Sequence, residues 1–244
     1  MHAAPAHHAP TRRLVAWMPA GMLDWPGKVS ATLFLSGCSL RCPYCHNASL
    51  RTPTEAPMEW DDIVAHIDAK RSWLDGVVVT GGEPTEDPDL PSLLAALAEV
   101  GVPVKLDTNG THPEVLRHLI AEELVSFVAL DVKATPAGYG AFARAGSASL
   151  VARSIETIIR SRIEHEFRTT AYPGAVRLDD FPRIARALRG GRLYALQQFR
   201  PGHTLDPHAS TVRPYQEGDL RVAATACSAF LPTIVRGLRA GEAA

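Results

Sequence analysis

Apolar positions along the chain form short runs that alternate with stretches of helical spacing. Gly76–Thr80 (GVVVT) is a β-branched run that ends at a glycine pair, which is typical of a buried strand. In Met58–Trp73, by contrast, Ile63 and Ile67 recur at the spacing of a helix. The alternation predicts further strands at Ala31–Leu35, Val104–Asp107, Ser126–Val132, His165–Ala171, Arg192–Phe199 and Thr233–Val235. It predicts further helices at Asp89–Val100, Pro113–Glu122, Leu150–Ile163, Asp179–Leu188 and Glu217–Phe230. Alternating units of this kind predict an α/β fold in which helices cover a parallel sheet.

Polar side chains appear again and again where the predicted strands end. They are Gly81-Gly82-Glu83, Asp107-Thr108-Asn109, Asp131 with Lys133, Arg168 inside its strand, and Gln197, Gln198 and Arg200. Taken singly, each has an ordinary explanation as a helix cap or a surface loop. Parallel α/β folds, however, place their sites at the carboxyl ends of the strands. We therefore expect these residues to share one site.

Composition and charge narrow the class of protein. The chain has 244 residues, of which 46% are hydrophobic and 21% charged, and its formal net charge is −1. Balanced charge argues against nucleic acid as a partner, because phosphate binding favours a basic face. No apolar run approaches the ~20 residues that cross a bilayer, so no membrane partner is expected either.

The amino-terminal residues carry no sorting signal. Met1–Arg13 mixes Ala, Pro and His without periodicity and is predicted to be a disordered tail. Leu14–Met18 is apolar but shorter than the ~7–15 residues of a signal-peptide core. Residues 14–244 are predicted to form a single domain, because barrels of alternating strand and helix often run to ~200–250 residues. We expect the chain in the cytoplasm, where thiols stay reduced.

Three of the four cysteines lie within eight positions, directly after the first predicted strand. Cys38, Cys42 and Cys45 have the spacing C-x3-C-x2-C. Three thiolates on a short loop can hold three irons of a [4Fe–4S] cluster and leave the fourth iron open to another ligand. The alternative is a zinc ion held by the three cysteines and His46, although structural zinc sites usually pair two separated ligand groups. Cys227 lies about 180 residues away in an apolar helical stretch, so we interpret it as a buried small hydrophobe.

The cysteine loop and several strand ends resemble a known family. Gly37–Asn47 (GCSLRCPYCHN) resembles the signature of radical S-adenosylmethionine (SAM) enzymes, in the form found in glycyl-radical-enzyme activases. Asp24–Lys28 (DWPGK), Thr80–Pro84 (TGGEP), Leu106–Gly110 (LDTNG), Asp131–Lys133 (DVK), Phe167–Thr170 (FRTT) and Leu196–Gly202 (LQQFRPG) are similar to further motifs of these activases. The last two resemble the branch that activates anaerobic ribonucleoside-triphosphate reductase. The resemblance runs from about Leu14 to Phe230 and implies a partial (β/α)6 TIM-like barrel with parallel strands.

The resemblance also implies cofactors and roles. Cys38, Cys42 and Cys45 would hold a [4Fe–4S] cluster, and SAM would chelate its open iron. Tyr44 would pack against the adenine. Gly81 and Gly82 would bind the methionyl amino group, with Glu83 supporting their turn. Lys133 would pair with the methionyl carboxylate.

Further roles follow from the same likeness. Asp107, Thr108 and Asp131 would gather a monovalent cation beside the methionyl carboxylate. Arg168 and Arg200 would donate to the carboxylate or the ribose, although related activases often carry His near the position of Arg200. The remaining residues placed at the cofactor are His46, which shapes the cysteine loop, and Asn109 of the LDTNG motif.

Three functions remain open from the sequence alone. The first is an activase that removes a hydrogen atom from a glycine of a glycyl-radical protein, such as anaerobic ribonucleotide reductase, with flavodoxin or ferredoxin as the electron donor. Such an enzyme needs an open groove for a peptide, and we expect Asp24, Trp25 and Arg200 at its rim. The alternative is that Trp25 covers the underside of the barrel. The second is a radical enzyme for a small molecule, with Gln197 and Gln198 among its substrate contacts. The third is an iron–sulfur or zinc binding module, against which the strand-end motifs argue.

Overall fold

The computed structural model describes residues 10–56 and 58–238. The chain divides into two compact units. Unit 1 takes in the described parts of Met1–Ser39, Ser49–Thr108 and Glu114–Val128. Unit 2 takes in the described parts of Leu40–Ala48, Asn109–Pro113 and Ala129–Ala244. The single domain predicted for residues 14–244 stays a prediction.

Strands and helices alternate along the described chain. The strands are β1 (Leu14–Gly21), β2 (Ser30–Leu35), β3 (Gly76–Gly81), β4 (Val104–Thr108), β5 (Phe127–Asp131), β6 (Glu164–Ala171), β7 (Tyr194–Gln198) and β8 (Thr233–Arg236). The helices are α1 (Trp60–Lys70), α2 (Leu90–Val100), α3 (Pro113–Ala121), α4 (Ser147–Ser161), α5 (Asp180–Ala187) and α6 (Glu217–Cys227). Every strand and helix predicted above is present, with ends that differ by up to three residues. The α/β class is confirmed.

One strand was not predicted. β1 pairs with β2 in antiparallel orientation and has register shifts at two places. Of its eight residues only Leu14 is buried, and the strand contains Pro19 and ends at Gly21. An edge strand of this kind has no regular alternation of apolar and polar residues, which is why the pattern did not reveal it.

The sheet of unit 1 brings the glycine pair beside the cysteine loop. β2 pairs with β3 and β3 with β4, all parallel, and Leu35 lies opposite Gly81 in the register. Val77, Val78 and Val79 are fully buried, as expected for a strand covered on both faces. The carboxyl ends of β2 and β3 therefore lie side by side, and the segments that follow them start at neighbouring points.

The sheet of unit 2 continues the parallel pattern. β6 pairs with β7 and β7 with β8, with Arg168 opposite Ala195 and Gln197 opposite Arg236. Paired residues of parallel strands share a face of the sheet, and so do positions two apart in one strand. Glu166, Arg168, Ala195, Gln197 and Arg236 therefore lie on one face.

The tail predicted for Met1–Arg13 is corrected at its carboxyl end. The Thr11 hydroxyl is buried and donates to Asp87, and the Arg13 carbonyl accepts from the Ser36 N–H at 2.9 Å. Thr11 and Arg13 are thus held within unit 1, while Met1–Ala9 lie outside the described residues. Within residues 10–56 and 58–238, no helix has both the length and the apolar character to span a bilayer.

Candidate active site

The cysteine loop is fixed by backbone hydrogen bonds at each of its parts. In unit 1 the Cys38 N–H donates to the carbonyl of Arg51 at 2.9 Å. In unit 2 the Cys45 N–H donates to the carbonyl of Cys42 at 3.1 Å, and the Cys45 carbonyl accepts from Leu205 at 3.0 Å. All three cysteines are free thiols. These hydrogen bonds fix the backbone at Cys38 in unit 1 and at Cys42 and Cys45 in unit 2.

Cys42 and Cys227 are both buried, but their surroundings differ. Burial raises the pKa of the Cys42 thiol, the positive charge of Lys133 lowers it, and Cys45 and Asp131 raise it further. Burial alone raises the pKa of Cys227 to about 12. Cys227 is fully enclosed in α6, so it packs as a small hydrophobe and has no nearby cation to stabilise a thiolate.

The thiols fit a cluster better than a single ion. Among the described residues, no group of three or more His, Cys, Asp or Glu side chains is placed to hold one metal ion. A zinc ion needs its sulfur ligands about 2.3 Å from one point, whereas each thiolate of a [4Fe–4S] cube binds a different iron. The Nε2 of His46 donates to the carbonyl oxygen of Arg200 at 2.9 Å, so only its Nδ1 could serve as a ligand. The donor set of three soft thiolates on one loop therefore fits the cluster.

Two glycines allow β3 to lie close to the cysteine loop. A Cβ on Gly81 would lie 2.2 Å from the Leu35 carbonyl oxygen, and a Cβ on Gly82 would lie 2.2 Å from that of Gly37. The N–H groups of Gly82 and Glu83 donate to these same carbonyls, at 2.8 and 2.7 Å. A methionyl amino group bound through its lone pair has only N–H donors to offer, so the turn would receive it through carbonyl acceptors.

Glu83 holds the turn together from inside unit 1. Its side chain is 1% exposed. One of its oxygens accepts from the Thr85 hydroxyl at 2.5 Å and from the Thr108 hydroxyl at 2.6 Å. The same oxygen also accepts from the Thr85 N–H at 3.2 Å. Glu83 thus joins the end of β3 to the end of β4 and supports the turn, which is the position expected of it.

The end of β4 carries an ion pair that the sequence reasoning missed. The ammonium group of Lys105 forms a salt bridge with Asp107, and Lys105 itself is fully buried. Asn109, in unit 2, accepts from the N–H of Thr111 at 3.0 Å and from its hydroxyl at 2.7 Å, so it shapes the loop after β4. The sequence did contain a signal for this pair. Side chains two positions apart in a strand lie on one face, so Lys105 and Asp107 could have been expected side by side.

Asp131 is held by two cations in unit 2. Its Oδ2 accepts from Lys133 at 2.9 Å, and its Oδ1 accepts from the Nε of Arg168 at 2.7 Å. Burial opposes ionisation of Asp131, but Arg168 and Lys133 outweigh it and hold the pKa of the carboxyl well below its usual range. Burial likewise disfavours the charged form of Lys133, yet Asp131 raises its pKa well above the usual value. All three side chains are therefore ionised at neutral pH, with one positive charge in excess.

The row of charges extends beyond the predicted residues. Glu166 is buried, and its Oε2 accepts from Arg236 at 2.7 Å. Its Oε1 lies 3.9 Å from Arg168. Ala195, opposite Arg168 in the register, is too small to separate these side chains. Arg236 was missed because it lies one residue beyond the end of the strand predicted at Thr233–Val235.

Tyr44 leaves a buried polar atom without a partner. Its ring lies against Tyr172 with the centroids 5.0 Å apart, and the residue is 5% exposed. No hydrogen-bond partner for its hydroxyl is present among the described residues. Burial raises the pKa of Tyr44 well above the usual value. A buried hydroxyl normally has a partner, so a polar group of a bound cofactor fits here, beside Lys133 and Asp131, whose charges act on the same hydroxyl.

His46 and Arg200 lie together at the surface of unit 2. Besides the hydrogen bond to the Arg200 carbonyl, the His46 ring stacks over Phe199 with an interplanar angle of 3°. The Arg200 guanidinium donates to the carbonyl of Gly237 at 3.3 Å. His46 therefore has the loop-shaping position expected of it, and the Arg200 side chain is directed along the end of β8.

The expected position of Trp25 at a groove rim is wrong. Trp25 is 3% exposed and packs against Phe127 of β5, with ring centroids 5.8 Å apart. It also leaves no room for a side chain at Gly76, the first residue of β3. Trp25 thus covers the amino ends of the strands, opposite to the ends that carry the polar motifs. Asp24 accepts from the Thr32 hydroxyl at 2.8 Å and secures the same turn.

Comparison with known proteins places this arrangement in a family. The sequence model of the radical SAM superfamily matches residues 32–188 of this chain. A protein of Methanocaldococcus jannaschii, provisionally named a glycyl-radical enzyme activating enzyme, is 34% identical over 219 residues. That alignment covers 87% of this chain and 90% of the archaeal protein.

Two further relatives match over shorter stretches. The pyruvate formate-lyase-activating enzyme of Staphylococcus aureus is 41% identical over 97 residues, which cover 37% of this chain and 38% of that enzyme. The 7-carboxy-7-deazaguanine synthase of Halobacterium salinarum is 41% identical over 94 residues, 36% of each protein. In both cases the chain spans little more than a third of the relative's length.

The fold also matches a solved structure. SuiB of Streptococcus suis, crystallised with bound SAM, superposes with a TM-score of 0.64 at 14% sequence identity. The match covers 83% of this chain and 48% of SuiB, so the chain spans about half of that structure. This likeness confirms the predicted fold, the partial barrel of radical SAM enzymes.

Radical SAM enzymes use SAM and a [4Fe–4S] cluster held by three cysteines, and these are the cofactors of this enzyme. The chain belongs to the radical SAM superfamily, and within it to the branch that contains the glycyl-radical enzyme activating enzymes.

Proposed function

We propose that this enzyme removes a hydrogen atom from the Cα of a glycine in a partner glycyl-radical protein. The observation that carries the proposal is the alignment with the archaeal activating enzyme, which extends over 87% of this chain. The shorter match to an activating enzyme for pyruvate formate-lyase supports the same reaction. The FRTT and LQQFRPG segments, which resemble the branch for anaerobic ribonucleotide reductase, favour that reductase as the partner.

We assign roles to the residues as follows. Cys38, Cys42 and Cys45 would hold the cluster through their thiolates and leave its fourth iron open to SAM. Lys133 binds the methionyl carboxylate, because its ammonium group has three donors and Asp131 uses one of them. Tyr44 offers its hydroxyl to the cofactor, and the Gly81-Gly82 turn offers carbonyls to the amino group. The remaining cofactor contacts are proposed for Asp107, Thr108, Asn109, Asp131, Arg168, Arg200 and the His46 loop.

When bound and reduced, the cluster would supply one electron for cleavage of SAM to methionine and a 5′-deoxyadenosyl radical, the species that would take the hydrogen atom and leave the unpaired electron on the glycine. The products would be methionine, 5′-deoxyadenosine and the glycyl radical of the partner. The protein's part is to orient the cofactor and to bring the reacting carbons to roughly 3–3.5 Å. No general acid or base is needed, in accord with the ion-paired state of Asp131 and Lys133.

The experiment mixes the reconstituted, reduced enzyme with SAM and an anaerobic ribonucleotide reductase from the same source. We expect a doublet from a protein radical in the electron paramagnetic resonance spectrum. The doublet must vanish when the target glycine of the partner becomes alanine. If the doublet is absent, or persists in that variant, the proposal is wrong.

A second function has one specific observation in its favour. The match to 7-carboxy-7-deazaguanine synthase has the same identity as the match to the staphylococcal activase and nearly the same length. A small-molecule radical enzyme would release 5′-deoxyadenosine faster when its metabolite alone is added. Stimulation by a metabolite without any protein partner would therefore favour this second function.

We propose further that the electron comes from an acidic carrier protein such as flavodoxin or ferredoxin, in the cytoplasm. The segment after β7 lies on the cysteine loop, since Leu205 and Asp206 donate to the carbonyls of Cys45 and Pro43 at 3.0 Å. Together, Leu40–Ala48 and Arg200–Tyr215 contain three Arg, three His and one Asp. An excess of positive charge beside a cluster ligand speeds association with an acidic partner.

The docking test compares affinity for a flavodoxin at low and high salt. The double variant Arg41→Glu, Arg213→Glu changes two exposed arginines with no assigned cofactor contact, so it should weaken binding at least ten-fold at low salt and leave reduction by dithionite unchanged. Arg160→Glu is the matched control, because its side chain is exposed at the carboxyl end of α4, where the strands begin. If the control and the double variant behave alike, the docking surface is placed wrongly.

A further inference from the structure

Lys105 is a fully buried lysine for which the proposed reaction has no use. It lies inside β4, and its ammonium group forms a salt bridge with Asp107 two positions later. Lysine is almost never fully buried unless its charge is paired, because removal of an ammonium ion from water is costly. Lys105 therefore places a buried, paired positive charge beside Asp107, the first residue of the Asp107-Thr108-Asn109 motif.

The family resemblance implies a monovalent cation at Asp107, Thr108 and Asp131, and Asp107 is the ion-pair partner of Lys105. Sodium or potassium would need the oxygens of Asp107, Thr108 and Asp131. In unit 1, one oxygen of Asp107 already pairs with the ammonium group of Lys105. In unit 2, both oxygens of Asp131 accept from side-chain cations, Lys133 and Arg168.

These contacts do not fit a bound monovalent cation. An incoming ion would have to share the carboxylate of Asp107 with Lys105, and that of Asp131 with Lys133 and Arg168, and these cations would repel it. Repulsion between like charges is strong in surroundings as dry as those of Lys105.

We propose that the Lys105 ammonium takes the place of the monovalent cation, so that this enzyme binds SAM without sodium or potassium. Lys105 is then a positioning residue. It fixes Asp107 and supplies the positive charge that the resemblance assigns to a cation at this motif. The inference depends on the SAM cofactor and is independent of which molecule gives up the hydrogen atom.

The first test needs no variant. The affinity of the reconstituted enzyme for SAM is measured anaerobically by calorimetry in potassium, sodium and tetramethylammonium chloride at one ionic strength. We expect dissociation constants that agree within about two-fold. A loss of ten-fold or more in tetramethylammonium would overturn the proposal, and so would broadening of the sodium-23 resonance by the SAM-bound enzyme that potassium reverses.

The second test removes the lysine. Lys105→Ala should bind SAM at least ten-fold more weakly in tetramethylammonium and regain affinity in potassium, because the emptied space admits the ion. Lys105→Met fills that space without charge, so its weakened binding should not respond to potassium. Lys70→Ala on α1 is the control for loss of a lysine elsewhere.

The variants separate a positioning role from a merely structural one. If Lys105→Ala folds and binds SAM like the unaltered enzyme in every salt, the proposal is wrong. If Lys105→Ala does not fold, Lys105→Met decides, and unchanged SAM affinity in that variant overturns the proposal equally.

Discussion

Lys133 Nζ lies 2.9 Å from Oδ2 of Asp131, two positions before it at the end of β5. Asp131 also forms an ion pair with Arg168, so two positive charges face one negative charge. Asp131 thus orients Lys133 without cancelling the local positive charge. An anionic ligand such as a carboxylate finds both an unused donor and a favourable potential there.

The first prediction concerns this lysine. Lys133→Ala should weaken binding of SAM at least ten-fold, because a charge-assisted hydrogen bond to the methionyl carboxylate is lost. Iron content should not change, since Lys133 is not a cluster ligand. Calorimetry and iron analysis on the reconstituted protein measure the two effects. Lys70→Ala is the matched control, and normal SAM affinity in Lys133→Ala would contradict the assigned role.

A second prediction separates the three loop cysteines from the fourth. Cys38→Ala, Cys42→Ala and Cys45→Ala should each abolish the cluster, whereas Cys227→Ala should retain about four irons per chain. Because Cys227 is fully buried, its replacement should instead lower the free energy of unfolding by about 1 kcal/mol through the cavity it leaves. Loss of iron in Cys227→Ala would refute the assignment of three ligands.

The pH dependence of alkylation of the apoprotein gives a third prediction. Only the thiolate reacts, and burial raises the pKa of Cys42, so its reaction should be slow at pH 8 and accelerate as the pH rises. Lys133 lowers the same pKa, so Lys133→Ala should raise it further and slow Cys42 more. Mass spectrometry after iodoacetamide treatment follows each cysteine separately.

Two observations would contradict that prediction. Cys38 and Cys45 are half-exposed, so both should react ahead of Cys42. Cys42 reacting first would show that its burial does not control its chemistry. Equal Cys42 rates in Lys133→Ala and in the control Lys70→Ala would show that the lysine charge does not reach the thiol.

The sequence predicted the fold well where burial imposes a pattern. Gly76–Gly81 is enclosed on both faces, so its continuous apolar run identified it as a strand. β1 escaped because an edge strand with one buried residue has no period to detect. The glycine pair was identified from its motif, but the close approach that requires Gly82, beside the Gly37 carbonyl, is a tertiary contact that no local pattern contains.

The candidate site was predicted as a set of residues rather than as a network. Asp107 was expected to bind a cation, yet it carries an internal one because Lys105 lies two positions earlier on the same face. Lysine in a strand usually points to solvent, so the burial of Lys105 became evident only from the structure. The prediction for Trp25 was wrong for a different reason. The motif that contains Trp25 does not indicate which end of the strands its ring covers.

Glu83 is the subject of the fourth prediction. Glu83→Ala should lower the free energy of unfolding by about 2–3 kcal/mol, because the buried Thr85 and Thr108 hydroxyls lose their acceptor. Glu83→Gln keeps an acceptor oxygen and should cost less. Urea denaturation measures both, with Glu99→Ala on the exposed side of α2 as the control. A loss in Glu83→Ala no larger than in Glu99→Ala would mean that the carboxylate does not hold the turn.

The last prediction concerns the hydroxyl of Tyr44, which is buried and has no partner among the described residues. An unpaired buried hydroxyl destabilises the protein that contains it. Tyr44→Phe should therefore leave the free energy of unfolding of the apoprotein unchanged or raise it by about 1 kcal/mol. The ring contact with Tyr172 survives the substitution.

If SAM pairs with the hydroxyl, the same variant should bind SAM about three- to ten-fold more weakly, since the cofactor then buries a polar group without a partner. Tyr139→Phe removes a hydroxyl that already accepts from the Lys133 N–H, so it should destabilise the apoprotein instead. Urea denaturation and calorimetry on both variants test this opposition, and a Tyr44→Phe protein that is less stable yet binds SAM normally would rule out a ligand-binding role for the hydroxyl.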